Sequence, residues 1–239
     1  MLLKVEEMSA GYTGVDVIRS LDLHIDEGEV VALLGPNGAG KTTTLLALAG
    51  VLAPSSGRVL YRDAPLRGAL HVRARRGISY ISEGGSVFSR LTTLANLKLG
   101  PGRVEDALAL FPELEPLLKR PAGLLSGGEQ RMLALGRSLA GKPDLLLVDE
   151  LSLGLAPLIV TRLLERLRAA ADAGTAVLIV EQHASQVLSV SDRGHVLRRG
   201  RLAMSGTGEE LLASSEALQS AYLSAGPQEE EQEQEPAGG

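Results

Sequence analysis

Three short runs of apolar residues recur along the chain without a polar residue between their members: 30–34, 145–148 and 176–180. Each run is rich in Val, Leu and Ile and is followed by residues that favour turns or polar strand ends. Such runs are typical of strands buried on both faces of a parallel sheet. Helical patterns over 42–49, 129–139 and 158–173 lie between them. This alternation of strand and helix predicts an α/β fold.

The segment 18–25 has a different pattern, because apolar and polar residues alternate there. Leu21, Leu23 and Ile25 fall on one face of an extended chain, and polar residues stand between them. Together with the segments 2–8 and 58–61, this pattern predicts a small antiparallel sheet beside the parallel core.

The middle of the chain, from about 92 to 139, carries helical patterns interrupted by four prolines: Pro101, Pro112, Pro116 and Pro121. Proline inside a helix breaks it, so these residues mark breaks in the helical pattern. We predict a helical subdomain, about 86–140, inserted into the α/β core.

The formal net charge of −5 comes entirely from the C-terminal end. Residues 227–239 contain five glutamates and no Lys or Arg, so residues 1–226 are neutral. We predict one domain over 1–226 and a disordered acidic tail over 227–239. A neutral domain argues against non-specific nucleic-acid binding, which depends on an excess of Lys and Arg.

Composition also limits the chemistry. The chain has no cysteine, which excludes disulfides and cysteine-based metal or redox sites. No apolar signal core follows Met1, and every apolar run is far shorter than the roughly 20 residues needed to cross a bilayer. We therefore expect any action at a membrane to depend on a partner.

The first motif that carries chemistry is a glycine-rich loop that fits G-x-x-x-x-G-K-[ST]: Gly35, Pro36, Asn37, Gly38, Ala39, Gly40, Lys41 and Thr42. It follows the run 30–34 and opens the helical pattern 42–49, which is the context that a phosphate-binding loop needs. Its glycines allow backbone N–H groups to surround phosphates. Lys41 is placed to reach the β- and γ-phosphates, and Thr42 offers a hydroxyl to Mg²⁺. An ordinary glycine-rich turn is the alternative, which this context disfavours.

A second motif ends the run 145–148, where Asp149 and Glu150 follow the apolar residues directly. An acid at the tip of a buried strand can hold Mg²⁺, and its neighbour can polarise an attacking water. A solvated strand end is the alternative for the pair.

A third motif is Leu125-Ser-Gly-Gly-Glu-Gln130. Ser126 is a good N-cap with Glu129 three residues on, which by itself indicates only a capped helix. Small residues and a hydroxyl at a helix N-terminus can also bind an anion.

This motif, between a phosphate loop and the sequence LLLVDE, resembles the signature of the ATP-binding subunits of ABC transporters. The resemblance covers about residues 2–223. It implies a P-loop NTPase core with an N-terminal antiparallel subdomain and an inserted helical subdomain. It also implies ATP hydrolysis by two subunits stacked head to tail. Each ATP would lie between the phosphate loop of one subunit and the LSGGE of the other.

The resemblance assigns roles residue by residue. Tyr12 is similar to the aromatic that stacks on adenine, and the loop from Gly35 through Thr43 would bind the phosphates. Glu150 would be the catalytic base, assisted by Lys41 and by Gln182. The remaining assignments are Thr42, Glu83 and Asp149 for Mg²⁺, and Ser126, Gly127, Gly128 and Glu129 for the ATP held by the partner. Residues 152–155 would line the dimer seam.

Three positions depart from the common family pattern. Glu83 replaces a glutamine that senses Mg²⁺, and an acid can still bind the ion. Gln182 replaces a histidine that senses the γ-phosphate, and His183 beside it is expected to be a surface or capping residue. Leu151 replaces the proline after the catalytic glutamate, and we expect it to loosen that turn.

A narrower resemblance comes from 111–114, 124–130, 152–157 and 180–184. These stretches are similar to the smaller ATP-binding subunit of the bacterial branched-chain amino acid importer. This implies an identical or related second ATP-binding subunit, two permease subunits and, indirectly, a solute-binding protein. It also implies a place on the cytoplasmic face of the membrane. The alternatives are a module that hydrolyses ATP weakly and an importer for urea, amides or other amino acids.

Overall fold

The computed structural model describes residues 1–84, 86–214 and 218. Its strands are β1 (Leu3–Tyr12), β2 (Val15–Ile25), β3 (Val30–Leu34), β4 (Ser56–Tyr61), β5 (Ala64–Pro65), β6 (Ile78–Ile81), β7 (Leu145–Asp149), β8 (Ala176–Glu181), β9 (Arg193–Arg198) and β10 (Arg201–Thr207). Its α-helices are α1 (Lys41–Ala49), α2 (Leu70–Ala74), α3 (Thr93–Lys98), α4 (Val104–Leu110), α5 (Gly127–Leu139), α6 (Pro157–Asp172), α7 (Ala184–Leu188) and α8 (Gly208–Ala213). Two short 3₁₀ helices, Pro112–Leu117 and Ala122–Leu124, lie between α4 and α5.

The larger sheet has the strand order β10-β9-β3-β8-β7-β6. All neighbouring pairs from β9 to β6 are parallel, and β10 alone runs antiparallel at its edge. The three predicted buried strands are confirmed, and the second and third each extend by one residue, to Asp149 and Glu181. Every residue of β3, β7 and β8 is buried, which is why their sequences do not alternate.

The predicted antiparallel sheet is also confirmed, with the order β2-β1-β4-β5. Its apolar face packs in one cluster with α1 and with one face of the larger sheet, which includes Leu145 and Leu147. Leu146 and Val148 point to the other face and pack with α5 and α6. Successive side chains along β7 therefore pack alternately into two apolar layers, one on each face of the larger sheet.

The helical segment enters after β6 and returns to the sheet at β7, as an insertion should. Phe111 is fully buried there and packs against α5, where a Cβ at Gly136 would lie 3.1 Å from the Phe111 ring. Helix α5 begins at Gly127, two residues before the predicted start, because Ser126 and Glu129 form a capping box. The limits 86–140 remain our proposed extent of the helical subdomain.

Two further predictions concern the ends of the chain and the membrane. The acidic tail, 227–239, lies outside the described residues. Among the residues that the structure does describe, no helix is both long and apolar enough to span a membrane.

Arg73 holds the end of α1 to the segment before α2. Its side chain is 5% exposed, and Nη1 donates to the carbonyls of Ala47 and Leu48 at 2.8 and 2.7 Å. Nε donates to the carbonyl of Gly68 at 3.0 Å. These bonds satisfy carbonyl groups that the last turn of a helix leaves without intrahelical partners.

We expect Arg73→Met to lower the free energy of unfolding by about 2–4 kcal/mol, because it leaves buried carbonyl groups without donors. Urea unfolding of the full chain measures this change. Arg75→Met, which alters an exposed arginine two residues away, is the matched control and should change stability by less than about 0.5 kcal/mol. Equal losses in the two variants would contradict the role given to Arg73.

Candidate nucleotide-binding site

The glycine-rich loop joins β3 to α1 in the predicted strand–loop–helix arrangement. Gly38 and Gly40 have φ values of 77° and 106°, a region that strains residues with a side chain. A Cβ at Gly40 would also lie 2.3 Å from Cδ1 of Ile18. Glycine at position 40 therefore lets the loop turn closely against β2 and leads directly into the N-terminus of α1, where an anion is favoured.

The turn between β9 and β10 packs against this loop and is hydrogen-bonded to it. The Gly200 N–H donates to the carbonyl of Ala39 at 3.0 Å, and the Arg19 N–H donates to the carbonyl of Gly200 at 2.9 Å. A Cβ at Gly35 would lie only 2.3 Å from the carbonyl oxygen of Leu197. The hairpin thus fixes the loop, and nothing in the sequence pattern had indicated this contact.

The loop opens into a cleft of about 410 Å³. The predicted site residues that line it are Asn37, Gly38, Gly40, Lys41, Thr42, Thr43, Glu83, Glu150 and Gln182. Val17 and Leu153 complete the lining. Residues from the loop, the end of β6, the turn after β7 and the end of β8 therefore meet in one place.

Lys41 lines this cleft and is 4% exposed. Its Nζ donates to the carbonyl of Pro36 at 3.2 Å and lies 3.6 Å from Oε1 of Glu150. The ammonium group is therefore placed between the loop and the predicted catalytic carboxylate, where it would meet a phosphate group that enters the loop.

Asp149 is 1% exposed, and its Oδ1 accepts a hydrogen bond of 3.2 Å from the Thr42 hydroxyl. Burial raises the pKa of Asp149 to about 6, with further contributions from the negative charges of Glu150 and Glu83. The Thr42 hydrogen bond and the Lys41 charge act in the opposite direction on this pKa. A cation bound beside Asp149 would relieve the cost of keeping the carboxylate ionised.

A hydroxyl and a buried carboxylate in contact are oxygen donors of the kind that Mg²⁺ takes from proteins beside substrate phosphates. Thr42 and Asp149 therefore fit the ion, and Glu83 lines the same cleft. Within the described part of the chain, no group of three or more His, Cys, Asp or Glu is placed to hold a metal ion by itself.

The turn after β7 places Glu150 in an unusual backbone conformation, with φ of 44°. The Glu150 N–H donates to the carbonyl of Val180 at 3.0 Å, and the next side chain, Leu151, is 1% exposed within the apolar core. The buried Leu151 side chain therefore anchors this turn, and the loosening expected from the absent proline stays a prediction. Gln182 follows β8 and faces the cleft, whereas His183 is exposed, as predicted.

The other predicted residues lie outside the cleft. Tyr12 ends β1 with 48% of its surface exposed. Ser126 caps α5, and Gly127 lines a smaller neighbouring cleft of about 160 Å³ with Glu83. A Cβ at Gly128 would lie 3.2 Å from Ile159, so this helix start packs closely on α6. Gly127 and the phosphate loop thus line two different clefts of one chain that share Glu83, and the roles of these residues remain predictions.

Sequence reasoning missed Arg131, which follows the LSGGEQ motif and is 8% exposed. Its Nη1 donates to the carbonyl of Ser82 at 3.2 Å, directly before Glu83. Burial lowers the pKa of Arg131, and the nearby charges of Glu83, Glu181, Asp149 and Glu150 oppose that shift. Arg131 of helix α5 therefore places a positive charge near these four carboxylates.

The family model described as ABC transporter matches residues 18–152. The chain is 39% identical over 232 residues to the high-affinity branched-chain amino acid transport ATP-binding protein BraG of Pseudomonas aeruginosa, with 93% of this chain and 99% of that protein covered. It is 35% identical to the lipopolysaccharide export system ATP-binding protein LptB of Escherichia coli, with 92% and 96% covered.

A solved structure of an ATP-binding subunit of an ABC transporter superposes with a TM-score of 0.77 at 29% identity, covering 94% of this chain and 97% of that one. The P-loop fold predicted from the sequence is thereby confirmed. The chain belongs to the ABC transporter family and is an ATP-binding subunit that hydrolyses ATP.

Proposed function

We propose that this chain is the ATP-hydrolysing subunit of an importer, and that the imported solutes are branched-chain amino acids. The observation that carries the ATPase part is the meeting of Lys41, Glu150 and Gln182 in the cleft above the phosphate loop. The identity to BraG, which extends over almost the whole of both chains, supports the choice of solute.

In this proposal the loop amides and Lys41 bind the phosphates of ATP, and Tyr12 stacks on the adenine. Thr42 and Asp149, with Glu83 nearby, would hold Mg²⁺, and the ion would supply positive charge for the phosphoryl transfer. Glu150 orients and polarises the attacking water, and Gln182 donates or accepts hydrogen bonds at the γ-phosphate. A second ATP-binding subunit supplies the segment from Ser126 to Glu129 to complete each site.

We expect Glu150→Gln to reduce ATP turnover at least about a hundredfold, because the amide cannot accept a proton from water. ATP affinity should change by less than about threefold, since Lys41 and the loop stay intact. Phosphate release at several protein concentrations measures the turnover, and a fluorescent ATP analogue measures the affinity.

Glu165→Gln, at an exposed position of α6, is the matched control and should retain wild-type turnover. Turnover by Glu150→Gln close to that of the wild type would remove Glu150 from its proposed role. Tight ATP binding without turnover in the wild-type chain would instead favour the weakly hydrolysing module, unless its membrane partners restore activity.

Asp149→Asn should stabilise the chain in the absence of nucleotide. The folded-state pKa of about 6 exceeds the ordinary value of 3.8, so the native state binds the proton more tightly than the unfolded state does. Wild-type stability is therefore lost as pH rises through about 6, whereas Asn has no such loss. At pH 7.5 in EDTA, Asp149→Asn should unfold at higher urea concentration, with a gain of roughly 1–3 kcal/mol.

The difference should vanish near pH 4, where the wild-type carboxyl is protonated in the folded state. Asp106→Asn, at an exposed position, is the control for the loss of a negative charge. An Asp149→Asn variant that is less stable than the wild type at pH 7.5 would contradict the cost assigned to the ionised Asp149 carboxylate.

The helical subdomain presents an apolar surface that suits docking of a permease subunit. Phe88 is 54% exposed, Leu91 39% and Leu124 63%. Their segments lie side by side, because the Ala122 N–H donates to the carbonyl of Leu91 and the Gly123 N–H donates to that of Ser89. Phe88 and Leu91 follow Glu83 closely in the chain, so a docked permease could respond to the state of the cleft.

Phe88→Ser should reduce the fraction of the chain that sediments with membranes of its own cells, because it removes exposed apolar area from the docking surface. Turnover of the purified chain should stay within about twofold of the wild type. Val51→Ser, which changes an apolar side chain 53% exposed at the far end of α1, is the control and should leave sedimentation unchanged. Equal sedimentation of both variants would exclude docking through Phe88.

A second candidate is a subunit of an export system, which the 35% identity to LptB favours. Uptake of labelled leucine, isoleucine and valine by cells that lack the chain separates the two. Loss of uptake that the wild-type chain restores and Glu150→Gln does not would support import. Normal uptake together with a defective outer envelope would favour export. If cells that lack the chain show neither defect, the imported solute would instead be urea, an amide or another amino acid.

A further inference from the structure

The turn that carries Glu150 is held in a conformation that it would not adopt alone. A positive φ strains a residue with a side chain, and it persists only where the surrounding structure imposes it. The N–H of Glu150 is bound to Val180, and Leu151 is buried. The third residue of the turn, Ser152, has its own attachment to the end of β8.

That attachment is the carboxylate of Glu181, which is 2% exposed. Its Oε1 accepts from the Ser152 N–H at 2.8 Å, and its Oε2 accepts from the Ser152 hydroxyl at 2.7 Å. One carboxylate therefore receives both polar hydrogens that Ser152 can donate. Glu181 precedes Gln182 in the chain, so this contact links the end of β8, the Glu150 turn and the start of the seam loop 152–155.

Keeping a carboxylate in this place is costly, since burial raises the pKa of Glu181 and the charge of Glu150 adds to the shift. The hydrogen bonds from Ser152 act against that rise. A glutamine would offer only one accepting oxygen, with its amide group turned toward the other donor. The two oxygens of the Glu181 carboxylate therefore match the two hydrogen-bond donors of Ser152.

We propose that Glu181 is a positioning residue for ATP hydrolysis: through Ser152 it fixes the turn that aims Glu150 and the first residue of the seam loop. This inference rests on the proposed role of Glu150 as catalytic base. Glu181 itself contacts neither nucleotide nor water in this scheme, so it should affect the rate of hydrolysis more than the binding of ATP.

The test compares Glu181→Ala, Glu181→Gln, Ser152→Ala and the Glu181→Ala/Ser152→Ala double variant in the full chain. We expect Glu181→Ala to lower kcat about tenfold to a hundredfold, with ATP affinity changed less than about threefold. Glu181→Gln, which keeps one acceptor for Ser152, should lose less. The double variant should be no slower than Glu181→Ala alone, because both changes break the same contact.

Two further measurements separate positioning from a general loss of stability. Val177→Ala removes buried apolar volume from the same strand, away from the cleft, and should lower the free energy of unfolding with little change in kcat. Hydrogen exchange of the Ser152 amide should become faster in Glu181→Ala than in Val177→Ala.

A Glu181→Ala variant with wild-type kcat, or one whose loss matches that of Val177→Ala, would overturn the inference. Full additivity of the two single changes would overturn it as well. If Glu150 were not the catalytic base, the result would be distinguishable, because Glu150→Gln would then retain turnover whatever the Glu181 variants do.

Discussion

Parallel pairing of β3, β8 and β7 is the constraint on which the site depends. Leu34 lies opposite Glu181, and Val180 lies opposite Asp149, so the three strands end at one edge of the sheet. Every residue in these strands is buried, and a slip by one residue would move each side chain into the opposite apolar layer, where its neighbours differ in shape. The phosphate loop, the acidic turn and Gln182 each follow one of these strands, and their proximity comes from strand order rather than from contacts of their own.

The same edge concentrates negative charge. Glu83, Asp149, Glu150 and Glu181 lie there with Lys41 and Arg131 as nearby cations. Burial raises the pKa of both Asp149 and Glu181, so the folded chain carries an electrostatic cost at neutral pH. Sites that bind charged substrates commonly retain such costs, because the groups that destabilise the empty protein are those that meet the ligand.

Much of this arrangement could be predicted from the sequence, since its signals are local. The buried strands show as unbroken apolar runs, the loop as closely spaced glycines, and the start of α5 as Ser126 with Glu129. The β9–β10 hairpin could not be predicted, because Arg193, His195 and Arg198 interrupt the apolar pattern of β9. Arg193 is accommodated by an ion pair with Glu29, 164 positions away in the chain. Glu181 and Arg131 were missed for the same reason, as their partners, Ser152 and Ser82, are distant in sequence.

Ser126 caps the N-terminus of helix α5, which carries Arg131 on its first turns. The two lie about 7 Å apart along one rigid axis. In the proposed dimer, a movement of this helix toward the nucleotide of the second subunit would also move a positive charge beside Glu83 in its own subunit. Coupling of this kind is reciprocal, so ATP bound at either site would change the free energy of binding at the other by the same amount. The two ATP sites of the proposed dimer would then not fill or empty independently.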